Sequence, residues 1–398
     1  MTTDKIIEEA NNYLFNTYSR FPIVILKGCG MRVYDSHGKE YLDFLSGIAV
    51  NNLGHCYTRV IVDFQKQAQR LVHISNLFYN KPQIQLAKLI VEHSCGDKVF
   101  FCNSGAEANE AAIKLARKYM KDMVSKDRYE IITAYNSFHG RTMATISATG
   151  QEKFHKGFEP LLPGFKFVPF NNIDKVAEAI NEKTAAVMIE PIQGEGGVNM
   201  PDENFLQNLR RLCDEKRILL ILDEVQTGIG RTGKLFAYEH YGMYPDIFTL
   251  AKGLGGGMPI GAMVAKDEVA KAFTPGTHAS TFGGNPLVCA AAIATLETIM
   301  EDSFILGNCI RLGNYFMDSL KRLQKRYPFI KDIRGKGLFI GMELEFNGRE
   351  IVEECLEQGF IINCTMERIL RFLPPLIVTR EEIDLLIETL DRIFKRRR

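Results

Sequence analysis

The sequence predicts an α/β protein whose mostly parallel central sheet is covered by helices on both faces, with a smaller α+β unit built from the two chain ends. Three observations carry that expectation. Between about residues 80 and 285, short apolar runs at 99–102, 131–134, 185–189, 218–222 and 247–250 alternate with stretches of helical periodicity. Runs apolar at nearly every position suit strands buried on both faces, the environment of parallel sheets. Each run also leads into a polar cluster, and open α/β sheets place their ligand sites beyond the carboxyl ends of the strands.

In chain order, a polar helix over 4–13 precedes short strands at 24–26, 32–34 and 41–44, separated by Gly and Asp turns. A helix over 108–120 repeats Ala111, Ala112, Leu115, Ala116 and Tyr119 at helical spacing. Beyond the central region come a helix over 286–300, a long helix over 306–326, strands within 333–344, 360–363 and 369–373, and a terminal helix over 380–395. The expected division is an N-terminal segment 1–60 belonging to the small domain, a large domain 61–285, and a C-terminal small domain 286–398.

Composition narrows the function classes. At 398 residues the chain is long enough for two domains with a substantial core. A net charge of +1 with mixed signs gives no field that points to nucleic acid or a membrane surface. Nine scattered cysteines without a C-x-x-C pair argue against a disulfide framework and a zinc site, so no metal is expected. The first residues have no signal-peptide pattern, and no apolar run nears the roughly 20 residues that span a bilayer. A cytoplasmic location is the expectation.

The polar clusters carry the chemistry. Asp223 closes one apolar run, and Lys252 follows the next in a glycine-rich, apolar neighbourhood. That pair suits a pyridoxal phosphate (PLP) pocket, with Lys252 holding the cofactor aldehyde as a Schiff base and Asp223 keeping the pyridine nitrogen protonated. Desolvation and nearby cations would lower the lysine pKa, as an amine nucleophile requires. The plain alternatives are a turn acid and a solvated lysine. Ser104-Gly105-Ala106 opens the helix after the first run and could bring backbone N–H groups to a phosphate, or could serve only as an N-cap. Phe138 and Val225 could face a planar ring or be ordinary core. Glu224, beside Asp223, reads as a solvated neighbour.

Two patterns mislead. Gly228-Ile-Gly-Arg-Thr-Gly-Lys-Leu235 has the frame of a P-loop, but Leu235 removes the hydroxyl that ligates magnesium. The basic tail Lys395-Arg-Arg-Arg398 reads as a frayed, solvated terminus.

Seven segments together resemble the class III PLP-dependent aminotransferases. They are Asn103-Ser-Gly-Ala-Glu-Ala-Asn-Glu110, Ser137-Phe-His-Gly-Arg-Thr142, Glu190-Pro-Ile-Gln-Gly-Glu-Gly-Gly197, Leu222-Asp-Glu-Val-Gln-Thr-Gly-Ile-Gly-Arg-Thr-Gly233, Ala251-Lys-Gly-Leu-Gly-Gly-Gly-Met-Pro-Ile-Gly-Ala262, Ala279-Ser-Thr-Phe-Gly-Gly-Asn-Pro-Leu287 and Arg371-Phe-Leu-Pro-Pro-Leu-Ile-Val378. The resemblance runs over essentially the whole chain. It implies the PLP-dependent transferase fold type I, with a seven-stranded sheet, and a homodimer whose two active sites are shared across the subunit interface. It also implies one pyridoxal 5'-phosphate per subunit as a Schiff base on Lys252, bound by Gly105 and Ala106 at the phosphate. Many relatives carry Thr where this chain has Ala106. Phe138 would stack on the ring, Val225 pack opposite, Asp223 and its neighbour Glu224 belong to the cofactor segment, and Gln226 reach the phenolic oxygen. Thr281 would reach the partner's phosphate, with Ser280 near the substrate.

A guanidinium pairs bidentately with a carboxylate, so Arg141 and Arg371 are the candidate substrate anchors. By resemblance Arg371 holds the α-carboxylate of glutamate or 2-oxoglutarate and Arg141 a distal one. Glu195 would pair with Arg371 and neutralise it while a terminal amine reacts. The implied activity is ping-pong transfer of the terminal amine of N2-acetylornithine to 2-oxoglutarate in arginine biosynthesis. Succinyl-diaminopimelate, ornithine and 4-aminobutyrate are alternative donors on the same scaffold, and Tyr18 is a candidate at the acyl end. A non-catalytic binding dimer is the reading from another class.

Overall fold

The computed structural model describes residues 2–301 and 303–397. The N-terminal helix Thr3–Tyr13 is followed by β1 (Ile25–Cys29), β2 (Arg32–Asp35) and β3 (Glu40–Asp43). The central region supplies β4 (Lys98–Cys102), β5 (Glu130–Ala134), β6 (Phe165–Val168), β7 (Thr184–Ile189), β8 (Leu219–Asp223), β9 (Ile247–Leu250) and β10 (Gly261–Ala265). The C-terminal part adds β11 (Ile330–Lys336), β12 (Phe339–Leu344), β13 (Phe360–Ile361), β14 (Asn363–Thr365) and β15 (Ile369–Phe372).

The central sheet has seven strands in the order β4-β10-β9-β8-β7-β5-β6. Six strands point one way. β10 alone runs against both of its neighbours, with Gly261 opposite Cys102 and Ala262 opposite Leu250. Every residue of β7, β8, β9 and β10 is buried, as strands covered by helices on both faces must be. The fold class is the one the sequence predicts. The five apolar runs are all strands, but β6 and β10 escaped the sequence reading. β6 is a partly exposed edge strand, and β10 follows a glycine-rich stretch that reads as loop.

The helix Gly105–Met123 begins earlier than its apolar spacing suggests. Ser104 caps it by accepting the Glu107 N–H at 3.2 Å, and the Glu107 carboxylate returns to the Asn103 N–H at 2.7 Å. Its Ala- and Leu-rich face, including Ala108, Ala112 and Leu115, then packs on the sheet. This fixes the helix start beside the end of β4.

Two four-stranded sheets flank the central layer, in the orders β1-β2-β3-β13 and β11-β12-β15-β14. The first joins the two chain ends, because β13 pairs in parallel with β3. The strand expected over 333–344 is a hairpin of β11 and β12, and the one expected over 360–363 divides between the two sheets around Ile362. The helix Pro286–Glu301 packs on Thr58–Ala68 and Lys81–Glu92, and Arg380–Lys395 on Ser303–Arg326. Of the basic tail, Arg398 lies outside the described residues. Arg397 is not frayed as expected: its guanidinium pairs with Glu354 and, at 3.4 Å, with Glu350. Among the described residues, no helix is long and apolar enough to cross a membrane.

Candidate active site

A cavity of about 440 Å³ opens where the central strands end, at the start of the Gly105–Met123 helix. Its walls include Ser104, Gly105, Ala106, Phe138, Arg141, Glu190, Glu195, Asp223, Val225, Gln226 and Lys252. Five strand-end clusters, far apart in the chain, therefore meet in one place.

Asp223 is the last residue of β8 and only 3% exposed. Its Oδ2 accepts hydrogen bonds from Asn109 Nδ2 and His139 Nδ1, both at 2.8 Å, and its Oδ1 from the Val225 N–H at 3.0 Å. Asn109 is fixed in turn, donating to the His139 carbonyl at 2.7 Å and accepting from Thr249 Oγ1 at 2.7 Å. The Asp223–His139 contact makes Nδ1 the donor, since a carboxylate only accepts. His139 Nε2 is buried without a hydrogen-bond partner. The acid is thus aimed by donors from a helix, a loop and its own turn.

Lys252 follows β9 and holds a left-handed backbone with φ of 42°, uncommon for a residue with a side chain and typical of functional positions. Burial drives its pKa below the ordinary 10.5, with the Glu195 carboxylate opposing and the Arg371 guanidinium assisting. Glu190, 6% exposed, is pushed up to about 7, chiefly by burial. Glu195 goes the other way: burial would raise it, but the charges of Arg371 and Lys252 outweigh that and hold it below the usual carboxylate range.

Arg371 on β15 is fully buried. Its Nη1 donates to Glu195 Oε1 at 2.7 Å and to Gln226 Oε1 at 3.2 Å, and its Nε to Asn363 Oδ1 at 3.2 Å. Arg141 is exposed at the rim, its guanidinium 3.9 Å from the centre of the Phe154 ring and 5.5 Å from that of Phe138. A second opening of about 910 Å³, lined by Arg20, Phe21, Lys153 and Thr365 among others, shares the Glu195 wall.

A model of the family "Aminotransferase class-III" matches residues 13–394. The chain belongs to the class-III aminotransferases. It is 56% identical over 394 residues to the acetylornithine aminotransferase of Methanocaldococcus jannaschii, covering 99% of both chains. It is 56% identical over 390 residues to that of Caldanaerobacter subterraneus, covering 98% of this chain and 99% of the other. Among solved structures, the ornithine aminotransferase of Toxoplasma gondii superposes with a TM-score of 0.95 at 37% identity, covering 100% of this chain and 97% of that one. The acetylornithine aminotransferase of Elizabethkingia anophelis superposes with a TM-score of 0.89 at 33% identity, covering 100% of both.

The class implies pyridoxal phosphate, and the cavity of this aminotransferase fits that group. A Cβ added at Gly105 would stand 2.7 Å from Val225 Cγ1, so only glycine lets the helix start approach the ring-facing valine this closely. The acid, the lysine, the two candidate ring faces Phe138 and Val225, and the phosphate-facing helix start all border one space. That donor set suits a phosphorylated, protonated pyridine aldehyde.

Not every expected residue lines the cavity. Glu224 is neither solvated nor a cofactor contact. It is fully buried on the far side, where its carboxylate accepts from Thr227 Oγ1 at 2.5 Å and from the Ala237 and Tyr238 N–H groups at 3.0 and 2.8 Å. Successive side chains at a strand end point to opposite faces, which is why Asp223 enters the cavity and Glu224 does not. Arg371 lies behind the wall and acts through Glu195 and Gln226, while Gln226 turns its carbonyl toward Arg371. Ser280 stands one residue back, accepting from Asn103 at 3.3 Å, and Thr281 is exposed on the surface. Tyr18 lines neither opening; it is 70% exposed, with Arg20 over its ring. The Gly228–Leu235 frame cradles no phosphate, because the fully buried Arg231 in it donates to the carbonyls of Leu338 and Pro374.

Sequence reasoning gave no role to Glu190, His139 or Asn109. All three already stood in strand-end clusters, and that was their shared signal. Asn109 is a polar residue on the otherwise apolar inner face of its helix, a pattern that marks a buried partner.

Proposed function

We propose that this aminotransferase moves the terminal amino group of N2-acetyl-L-ornithine to 2-oxoglutarate, giving N-acetyl-L-glutamate 5-semialdehyde and L-glutamate, a step of arginine biosynthesis. The observation that carries this reading is the 2.7 Å pair between Arg371, just behind the wall, and Glu195, which lines the cavity with Lys252. With the pair closed, Arg371 is neutralised and a terminal amine, which has no carboxylate beside it, reaches the reacting centre. With Glu195 displaced, Arg371 is free for the α-carboxylate of glutamate or 2-oxoglutarate. One site thereby serves two donors whose carboxylates lie at different distances from the amine. The full-length likeness to acetylornithine aminotransferases supports this donor over ornithine.

Bound pyridoxal phosphate would supply an electron sink for the pair left when the C–H bond beside the amine breaks. The backbone N–H groups of Gly105 and Ala106 would hold its phosphate, and Phe138 and Val225 would flank the ring. Asp223, aimed by its three donors, would hold the proton on the ring nitrogen. Gln226 serves the phenolic oxygen. Lys252 would hold the cofactor aldehyde, and its amine would move the proton at the substrate carbon. Arg141, at the rim, takes the carboxylate at the far end of the amine donor.

The working unit in this reading is a homodimer with one cofactor per subunit. Leu77, Phe78 and Tyr79 are 86%, 61% and 96% exposed, three successive large apolar side chains that a partner subunit would cover. Asn76, next to them, donates to the carbonyls of Ser280 and Gly283. That surface therefore adjoins Thr281, which in this reading reaches the cofactor phosphate of a partner subunit.

The test is spectroscopic. The cofactor-loaded protein is mixed separately with acetylornithine, succinyl-diaminopimelate, ornithine and 4-aminobutyrate, and loss of the visible cofactor band is timed. Acetylornithine should bleach it fastest; ornithine in first place would overturn the donor assignment.

A further inference from the structure

We propose that Glu190 is a positioning residue whose single carboxylate ties the ring-facing Phe138 to the turn that carries Glu195. The two oxygens are used separately. Oε2 accepts the Phe138 N–H at 3.1 Å, and Oε1 accepts the Gly194 N–H at 3.1 Å. Phe138 lies immediately before His139, which holds Asp223, and Gly194 immediately before Glu195, which holds Arg371. The carboxylate therefore spans the cofactor end and the substrate end of one cavity. This inference rests on the dual-substrate reading above and assigns the residue that coordinates its two halves.

The turn leaves little slack. A Cβ added at Gly194 would stand 2.3 Å from Gln226 Oε1, the atom that accepts from Arg371. A shift of the Gly194 peptide is thereby transmitted directly to the Gln226–Arg371–Glu195 group. Glu190 directly follows β7, a strand buried along its whole length, so its backbone is anchored on one side.

Only the ionised form can hold both N–H groups equally, since the acid form turns one oxygen into a donor. Burial lifts Glu190 to about 7, with the His139 charge pulling it down and the Asp223 charge pushing it up. Lys252 feels the Glu190 charge across the cavity, and Glu195 and Arg371 stand beyond it as a neutralised pair. The bridge is complete above about pH 7 and loosens below it.

The experiment follows two readouts against pH in the cofactor-loaded protein: visible ellipticity per unit absorbance, which reports ring orientation, and the ratio of bleaching rates with acetylornithine and glutamate. In the wild type, both should change together around pH 7, the rate ratio by roughly three- to tenfold. Glu190→Gln, isosteric but not titratable in this range, should flatten both. Glu190→Asp keeps a carboxylate that reaches one N–H only; it should keep the ellipticity step and lose most of the change in ratio. Variant profiles that superimpose on the wild type, or that drop uniformly at every pH, would overturn the proposal. Should acetylornithine not react at all, the donor assignment fails and the ellipticity step alone decides the role of Glu190.

Discussion

The two ends of the cavity are built on different principles. At the cofactor end, Asp223 is 3% exposed and receives three hydrogen bonds, from Asn109, His139 and the Val225 N–H. At the substrate end, the buried Arg371 is balanced by Glu195, whose side chain is 29% exposed, and Arg141 rests on aromatic faces with no carboxylate paired to it among the described residues. A charge that faces the same group throughout the cycle can be fixed permanently by short donors. A charge that meets two different substrates must be held by a partner that can leave. Breaking a buried ion pair without a substitute costs about 3–5 kcal/mol, so the incoming carboxylate has to take the place of Glu195 as it goes.

The most severe way to break the fixed end is Lys252→Ala, which removes both the anchor and the proton carrier. Turnover should fall by about 10⁴-fold or more, and the visible band of the loaded protein should vanish. A variant that kept its band and turned over would place the reacting amine elsewhere. Next comes Asp223→Asn, which keeps the shape and removes the charge. Loss of one preorganised electrostatic group should cost about 10²–10³-fold in kcat for both half-reactions alike, with weaker cofactor retention on dialysis. A loss confined to one substrate would show that the cofactor end is not common to both halves.

The sequence made one end more legible than the other, for physical reasons. Asp223 and Lys252 could be read because each stands in one of five polar clusters at strand ends, and the lysine sits among glycines and apolar residues. Glu224 was misread because the reading did not apply the alternation of side chains to the two residues at the strand end, and that alternation sends its carboxylate toward the Ala237 and Tyr238 N–H groups. β10 was missed since neither its direction nor its membership of the sheet leaves a trace in an apolar run of small residues. The Arg371–Glu195 pair joins positions 176 residues apart, so no local pattern could reveal it; it came from family resemblance, and the coordinates give it a length. The acyl end stayed illegible. Tyr18 stands outside both openings, and the residues around the larger one come from six separate stretches of chain.

The exchangeable end is sharpened by Glu195→Ala. Arg371 then loses its neutralising partner and remains open for α-carboxylates. The ratio of kcat/KM for acetylornithine to that for glutamate should fall by about tenfold, the order of a buried charge-assisted contact. It is read from separate half-reactions under single-turnover conditions. Equal losses with both donors would make Glu195 a part of the fixed end instead.

The smallest effect on turnover belongs to Glu224→Gln, which tests whether burial beside Asp223 is enough to make a residue functional. Its carboxylate faces away from the cavity, so kcat/KM should stay near the wild-type value for both donors. Stability should respond instead. Burial pushes Glu224 from an ordinary 4.5 up to about 7. Between those values the folded chain keeps a proton that the unfolded chain has already released, so the unfolded state binds fewer protons and stability falls as pH rises through that window. Above about pH 7 both forms are ionised and the slope ends. One such group contributes at most about 1.4 kcal/mol per pH unit. Glutamine cannot accept all three of the hydrogen bonds that Glu224 receives, so the variant is offset in absolute stability and the slope is the diagnostic quantity. Urea midpoints between about pH 5 and pH 7 should decline less steeply in Glu224→Gln than in the wild type, the remaining decline including the share of Glu190. Parallel lines for the two proteins would mean that Glu224 is already ionised in the fold at low pH, held there by Thr227 and the two N–H groups that surround it.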